Sequence, residues 1–150
     1  MIAKNPSMSY HESILIYLSV KKSTNMKEKL IFIVDDDEMM TQMLRDHLLR
    51  NPMHKVSTFA TGEECIEQLA EKPDVVILDY KLNLVKRDAA DGLEILQRIK
   101  KFDKDICVIM LSSQKQYSKA AQTIMKGALE YVVKDEKSFK SIDAILASGG

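Results

Sequence analysis

Residues 30–38 read LIFIVDDDE, an apolar run that turns abruptly acidic and carries the strongest structural signal in this chain. A short run of β-forming residues without polar interruptions is typical of a strand buried on both faces of a parallel sheet. The acidic residues follow directly, so we expect them where that strand ends. The stretch therefore predicts a buried strand that carries a group of carboxylates at the edge of a sheet.

Strand-like and helix-like segments alternate along the rest of the chain. Apolar runs at residues 75–78, 106–111 and 129–133 predict further strands buried on both faces. Residues 55–59 alternate polar and apolar side chains, which suits an edge strand. Between the strands, residues recur at the spacing of amphipathic helices in five groups: Met40, Met43, Leu44, His47 and Leu48; Ile66, Leu69 and Ala70; Leu93, Leu96 and Ile99; Ala120, Ala121 and Ile124; Phe139, Ile142, Ile145 and Leu146. The alternation predicts an α/β fold, a doubly wound (βα)5 parallel sheet with helices on both faces.

Capping signals mark several helix ends. Thr61 with Glu64, and Asp91 with Glu94, have the spacing of capping boxes, in which a side chain accepts from a backbone amide of the first turn. Gly127 suits the position just after a helix, where a left-handed backbone is common. These signals predict helices that begin after Thr61 and Asp91 and one that ends at Gly127.

Charge and cysteine content argue against several functional classes. The 22 basic side chains balance 22 acidic ones, so there is no general electrostatic reason to expect binding of nucleic acid or of an anionic membrane. Cys65 and Cys107 lack the spacing of a zinc site or a disulfide framework, which indicates a reducing compartment. The apolar run at residues 14–20 is too short to span a bilayer and is not followed by a signal-peptide cleavage pattern. We therefore expect a cytoplasmic protein without nucleic-acid or membrane partners.

The first 29 residues differ from the rest, because they hold one apolar patch among Ser, Asn, Lys and Pro. We interpret residues 1–29 as an N-terminal extension that is disordered or that precedes a true start at Met26. The alternative is a short partner-binding helix around residues 13–20. Residues 30–148 form the predicted domain. The chain ends soon after the fifth predicted helix of that domain, so we expect no output domain and a signal that passes through another protein.

Polar residues lie where the buried strands end. Asp35 and Asp36 follow the first strand, Asp79 the third, Ser112 the fourth and Lys134 the fifth. Ligands of open α/β sheets bind outside these strand ends, and clustered carboxylates need a cation to offset their repulsion. Magnesium prefers oxygen ligands and phosphate, and a lysine with a hydroxyl beside it would complete a phosphoryl-binding site. No GxxxxGK[ST] or GxGxxG motif is present, so nucleotide binding is poorly supported.

Four motifs in this order resemble the receiver domain of bacterial two-component response regulators, of the stand-alone type. They are residues 34–38, 78–79, 110–113 and 131–134, and the resemblance spans about residues 30–146. It implies a flavodoxin-like (βα)5 fold with the parallel strand order 2-1-3-4-5. It also implies a phosphoacceptor that is not an enzyme, apart from hydrolysis of its own phosphoryl group.

The resemblance assigns a role to each acidic residue of the pocket. Asp79 would accept a phosphoryl group from a histidine kinase or a histidine phosphotransfer protein. Asp36 and Asp79 would bind Mg2+ directly, Asp35 mostly through water, and the main-chain carbonyl of Lys81 would add a further ligand.

The same resemblance implies a switch around the phosphoryl group. Lys134 would pair with Asp79 and then with the phosphoryl group. Ser112 would move to hydrogen-bond a phosphoryl oxygen, and Tyr131 would turn inward into the space that this movement leaves. The surface formed by the fourth helix, fifth strand and fifth helix would then bind a downstream effector protein.

Two features depart from the family pattern. Asp91-Gly92 lies farther beyond Asp79 than is typical, so the loop at residues 80–90 is enlarged. That loop either shapes partner choice or phosphoryl lifetime, or is a solvated insertion of the kind that surface loops tolerate. Asp135 stands where the family commonly has proline after the lysine, and a cis peptide is less expected there because it is costly without proline.

Three alternative functions fit parts of the sequence. Asp35-x-Asp37 matches the nucleophile motif of haloacid-dehalogenase-type phosphohydrolases, although Met39 replaces an expected Thr or Val. An unphosphorylated docking adaptor would use the fold alone, but the complete set of pocket residues argues against it. A flavin carrier would need an anion site, to which the acidic pocket is unsuited.

Overall fold

A computed structural model describes residues 7–23 and 27–149. The strands are β1 (Lys29–Val34), β2 (His54–Phe59), β3 (Val75–Asp79), β4 (Cys107–Ser112) and β5 (Glu130–Val133). The helices of the described residues are α1 (Tyr10–Ser23), α2 (Glu38–Leu48), α3 (Gly62–Glu67), α4 (Gly92–Phe102), α5 (Tyr117–Met125) and α6 (Ser138–Ala147), with a 3-10 turn at Leu69–Glu71.

The five strands form one parallel sheet in the order β2-β1-β3-β4-β5. This confirms the predicted doubly wound α/β fold, its flavodoxin-like strand order and the edge position of β2. Chain order reverses between β1 and β3, and ligand crevices form at such a point. The register pairs Val34 with Leu78, and Asp79 with Leu111. The residues that follow β1 therefore face the end of β3.

Successive residues of a strand point to opposite faces of the sheet, and this alternation divides the core into two layers. Phe32 and Val34 pack on one face of the sheet with residues of α3 and α4. Ile31 and Ile33 pack on the other face with residues of α2 and α6. All four side chains are at most 1% exposed. The last four residues of β1 are thus packed on both faces of the sheet, which positions the acidic residues that follow them.

The predicted caps at Thr61 and Asp91 are confirmed, since each side chain accepts from the backbone amide three residues later. Gly127 follows α5 with a positive φ of 105°. The pattern that includes Leu69 and Ala70 predicted one continuous helix, but α3 ends at Glu67 and a 3-10 turn follows. That turn closes on Lys72, which has a left-handed backbone directly before Pro73.

Two predictions about burial were wrong. In α5 the buried residue is Thr123, while Ile124 is 44% exposed. The face of α5 that packs on the domain therefore differs from the face that the apolar pattern predicted. Thr123 tolerates burial because its hydroxyl donates to the Ala120 carbonyl. We also expected β5 to be buried on both faces, but it is the second edge of the sheet and Val132 is its one buried residue.

The N-terminal segment contains a helix, α1, where we expected disorder, and this helix covers the alternative prediction at residues 13–20. Its first turn is stabilised by reciprocal hydrogen bonds between Ser9 and Glu12. The Tyr17 hydroxyl lies 3.6 Å from the Met53 sulfur, which connects α1 to the domain. The proposed start at Met26 lies outside the described residues, and the domain boundary at residue 30 stays a prediction. Across residues 7–23 and 27–149, every helix is too short or too polar to cross a membrane.

Candidate metal centre

Three aspartates meet at the carboxyl edge of the sheet. Asp35 and Asp36 follow β1, and Asp79 is the last residue of β3. One carboxylate oxygen from each lies within 4.8 Å of the others. Asp35 and Asp79 are 4% and 5% exposed, whereas Asp36 is half-buried. The register of β1 against β3 brings together residues that are far apart in sequence.

Lys134 supplies the positive charge of the pocket. Its ammonium lies 2.8 Å from an Asp35 oxygen and 3.3 Å from an Asp79 oxygen. The lysine follows β5 directly, and its backbone amide donates to the Ser112 carbonyl at 2.8 Å. That bond extends the pairing of β4 with β5, so the sheet aims Lys134 at the aspartates. The peptide bond from Lys134 to Asp135 is trans.

The pocket holds more negative than positive charge unless a further cation binds. Burial, and then the charge of Asp35, raise the pKa of Asp79 to about 7, although Lys134 and a backbone hydrogen bond from Lys81 oppose the shift. Burial lowers the pKa of Lys134, but its hydrogen bond to Asp35 and the charge of Asp79 outweigh burial and hold that pKa above its usual value. Three carboxylates face one ammonium, so ionisation of Asp79 carries a cost that a second cation would remove.

The donor set of the pocket fits a hard divalent cation. Asp35, Asp36 and Asp79 offer carboxylate oxygens at a spacing that one ion could bridge. Oxygen ligands of this kind suit magnesium, which keeps several waters and accepts phosphate oxygens in its remaining positions. Burial, and then the charge of Asp35, raise the pKa of Asp79, and a bound cation would offset both effects.

The predicted switch residues lie beside the pocket. Ser112 is 2% exposed, and its hydroxyl accepts from the backbone amide of Gln114 at 3.2 Å. Tyr131 is half-buried, and its hydroxyl donates to the Gln114 carbonyl at 2.8 Å. The Tyr131 ring also meets the ring of Tyr80, the residue after Asp79, at 6.4 Å between centroids. Ser112 at the end of β4 and Tyr131 of β5 therefore both contact Gln114, in the loop that follows β4.

The enlarged loop after β3 reaches back to the acidic pocket. The backbone amide of Val85 donates to an Asp36 carboxylate oxygen at 3.2 Å. The backbone amide of Ala90 donates to Glu63 at 2.7 Å. Sequence reasoning missed both contacts, because a backbone donor leaves no residue-type signature.

Asp37 lies beside the pocket but serves as the N-cap of α2. Its side chain is exposed and accepts from the backbone amide of Met40 at 3.1 Å. We expect Asp37→Ala to cost about 1 kcal/mol of unfolding free energy in urea, since a lost cap costs that much. Magnesium affinity, measured by calorimetry on the same variant, should stay unchanged. Loss of metal binding would instead make Asp37 a ligand.

Comparison with known proteins identifies the family. A family model described as response regulator receiver domain matches residues 31–146. The chain is 31% identical over 116 residues to the chemotaxis protein CheY of Bacillus subtilis. This alignment covers 77% of the present chain and 92% of CheY.

Solved structures agree with this comparison. The BeF3-activated DrrB receiver domain has a TM-score of 0.69 at 27% identity, and the match covers 80% of this chain and 95% of that one. The response regulator domain of Thermotoga maritima CheB has a TM-score of 0.66 at 27% identity, with coverage of 82% and 93%. The chain therefore belongs to the response regulator receiver domains of two-component signalling.

Proposed function

We propose that Asp79 accepts a phosphoryl group, in a magnesium-dependent reaction, from the phosphohistidine of a histidine kinase or of a phosphotransfer protein. The observation that carries the proposal is the position of Asp79. It ends the central strand β3, it is 5% exposed, and it lies beside both the Lys134 ammonium and the acidic pair Asp35 and Asp36. A buried carboxylate with these neighbours has the surroundings of an activated nucleophile.

The chemistry is an exchange of one phosphorus bond for another. An oxygen of ionised Asp79 forms a bond to phosphorus as the bond from phosphorus to the donor imidazole nitrogen breaks, and the imidazole leaves with that electron pair. Lys134 stays within reach of Asp79 and stabilises the negative charge on the transferred oxygens. The product is an aspartyl phosphate, which attack by water returns to the carboxylate and inorganic phosphate. The protein in this role is a phosphoacceptor that hydrolyses its own phosphoryl group.

Magnesium would be held by Asp36, Asp79 and the main-chain carbonyl of Lys81, with Asp35 acting mostly through water. When bound, the ion supplies positive charge that offsets the carboxylates and the phosphoryl oxygens. Asp79 then stays ionised at neutral pH despite its burial. Both oxygens of Asp35 already accept hydrogen bonds, from Lys134 and from the Asp37 amide, which supports its outer role.

The signal leaves through a switch that involves Ser112 and Tyr131. Ser112 turns its hydroxyl from the Gln114 amide to a phosphoryl oxygen, and Tyr131 releases the Gln114 carbonyl and turns inward. Phosphorylation thereby shifts a pre-existing equilibrium. The surface formed by α5, β5 and α6 displays exposed Tyr117 and Met125, which suits binding of a downstream effector protein.

Cys65 and Cys107 are free thiols, which supports a cytoplasmic location.

Intact-mass measurement tests the proposal. The protein is incubated with acetyl phosphate or phosphoramidate, once with magnesium and once with EDTA. We expect a gain of one phosphoryl group with magnesium and none with EDTA. If a folded protein gained no mass from either donor, and calorimetry detected no magnesium binding, the chain would be a docking adaptor instead.

A further inference from the structure

We propose that the enlarged loop at residues 80–90 is a latch that competes with the metal ion for Asp36, so that metal binding releases the loop and the closed loop weakens metal binding. The backbone amide of Val85 already donates to an oxygen of the Asp36 carboxylate. Asp36 is also one of the three aspartates whose oxygens could hold the ion. The inference rests on the proposed magnesium site and adds a regulatory part to it.

Both ends of the loop are anchored by contacts that do not involve Asp36. Leu82 is fully buried in the core layer that contains α3 and α4. At the other end, the Ala90 amide donates to Glu63, and the Gly92 amide donates to the Tyr80 carbonyl at 2.9 Å. None of these contacts uses an oxygen of Asp36. The loop therefore stays attached to the domain while its middle part opens or closes.

The middle of the loop depends on Asp36 alone. Leu84 and Val85 are 67% and 78% exposed, so packing does little to hold them. Apart from the turn bond in which the Ala89 amide donates to the Lys86 carbonyl, the Val85 amide makes the one hydrogen bond of residues 83–88 to another described residue beyond them. Loss of that single bond frees this segment, because no buried side chain holds it.

The amide and the ion compete because both need negative charge on the same carboxylate. The Val85 N–H carries a partial positive charge at 3.2 Å from Asp36, where a divalent cation would repel it. The cation also draws electron density from Asp36 and weakens it as an acceptor. Coupling of this kind is reciprocal, so the latch reduces metal affinity by the factor by which metal destabilises the latch.

Proline at position 85 tests the latch, because proline has no backbone N–H. We expect Val85→Pro to bind magnesium about three- to tenfold more tightly by calorimetry, the range for loss of one hydrogen-bonded competitor. Val85→Ala keeps the amide and removes the side chain, while Leu84→Pro stiffens the same loop and keeps the Val85 amide. Both controls should stay within about twofold of the unsubstituted protein. Unchanged or weaker binding in Val85→Pro, or equal tightening in all three variants, would overturn the latch.

Amide exchange in the unsubstituted protein provides a second test that needs no variant. We expect the Val85 amide to exchange with solvent several-fold faster at saturating magnesium, with the Ala90 amide unchanged as the internal control. Equal Val85 exchange with and without magnesium would refute the latch. If the protein binds magnesium and takes up phosphoryl groups without either effect, the latch alone fails. If it binds no magnesium, the proposed function and the latch fail together.

Discussion

Replacement of Asp79 by asparagine is expected to abolish phosphoryl uptake completely and to stabilise the metal-free protein at pH 8 by about 1–3 kcal/mol. Uptake is lost because an amide oxygen cannot replace the carboxylate nucleophile. Stability rises because the buried negative charge beside Asp35 disappears. Intact mass with acetyl phosphate measures the first effect, and urea unfolding in EDTA measures the second.

The stability effect should depend on pH in a defined direction. In the unfolded chain the pKa of Asp79 is near 3.8, whereas in the folded protein it is raised to about 7. Below about pH 4 the group is protonated in both states and contributes nothing. As the pH rises to 7 the folded state retains the proton longer, so the stability of the native protein falls, and above pH 7 the full cost remains. The gain from Asp79→Asn should therefore be largest at pH 8 and vanish near pH 4.

Asp88→Asn is the matched control, since Asp88 is an exposed aspartate of the loop after β3. It removes the same charge from the protein without entering the pocket. We expect normal phosphoryl uptake and a stability change within about 0.5 kcal/mol. If Asp79→Asn still gained a phosphoryl group, another residue would be the acceptor. If Asp79→Asn lost stability at pH 8, the pocket would not be short of positive charge.

Gly92→Ala is expected to destabilise the protein by about 3 kcal/mol or more, because the added methyl group meets backbone atoms. A Cβ at Gly92 would lie 2.7 Å from the Tyr80 Cα and 2.8 Å from the Tyr80 carbonyl oxygen, with the Asp79 carbonyl oxygen nearer still. Backbone cannot rotate away as a side chain can. The start of α4 must therefore shift, which breaks the bond from the Gly92 amide to the Tyr80 carbonyl. Urea unfolding monitored by circular dichroism measures the loss.

Gly62→Ala is the control for Gly92→Ala, because Gly62 is also buried and also opens a helix. A Cβ at Gly62 would meet side-chain atoms of Ile95 rather than backbone atoms. We expect the cost there to be about 1–2 kcal/mol. If the two substitutions cost the same free energy of unfolding, the close approach of the Asp79 and Tyr80 backbone would not explain why glycine is needed at position 92.

Local patterns in the chain were enough to predict the sheet and the positions of its charged ends. The run at residues 30–34 and its three counterparts specify strands because apolar β-forming residues gain most by burial in a sheet. Asp35, Asp79 and Lys134 follow from the same patterns, since the carboxyl ends of parallel strands share one edge. The caps at Thr61 and Asp91 were also predictable, because a cap is a contact within one turn of helix.

Features that depend on distant partners could not be predicted from these patterns. The rotation of α5 that buries Thr123 rather than Ile124 follows from how α5 meets β5, which periodicity does not encode. The exposure of β5 follows from its edge position. The raised pKa of Asp79 and its closeness to Lys134 arise only when the ends of β1, β3 and β5 meet at one edge of the sheet. The hydrogen bond from Val85 to Asp36 is the clearest case, because its donor is a backbone amide that every residue except proline carries, and only the path of the folded loop selects it.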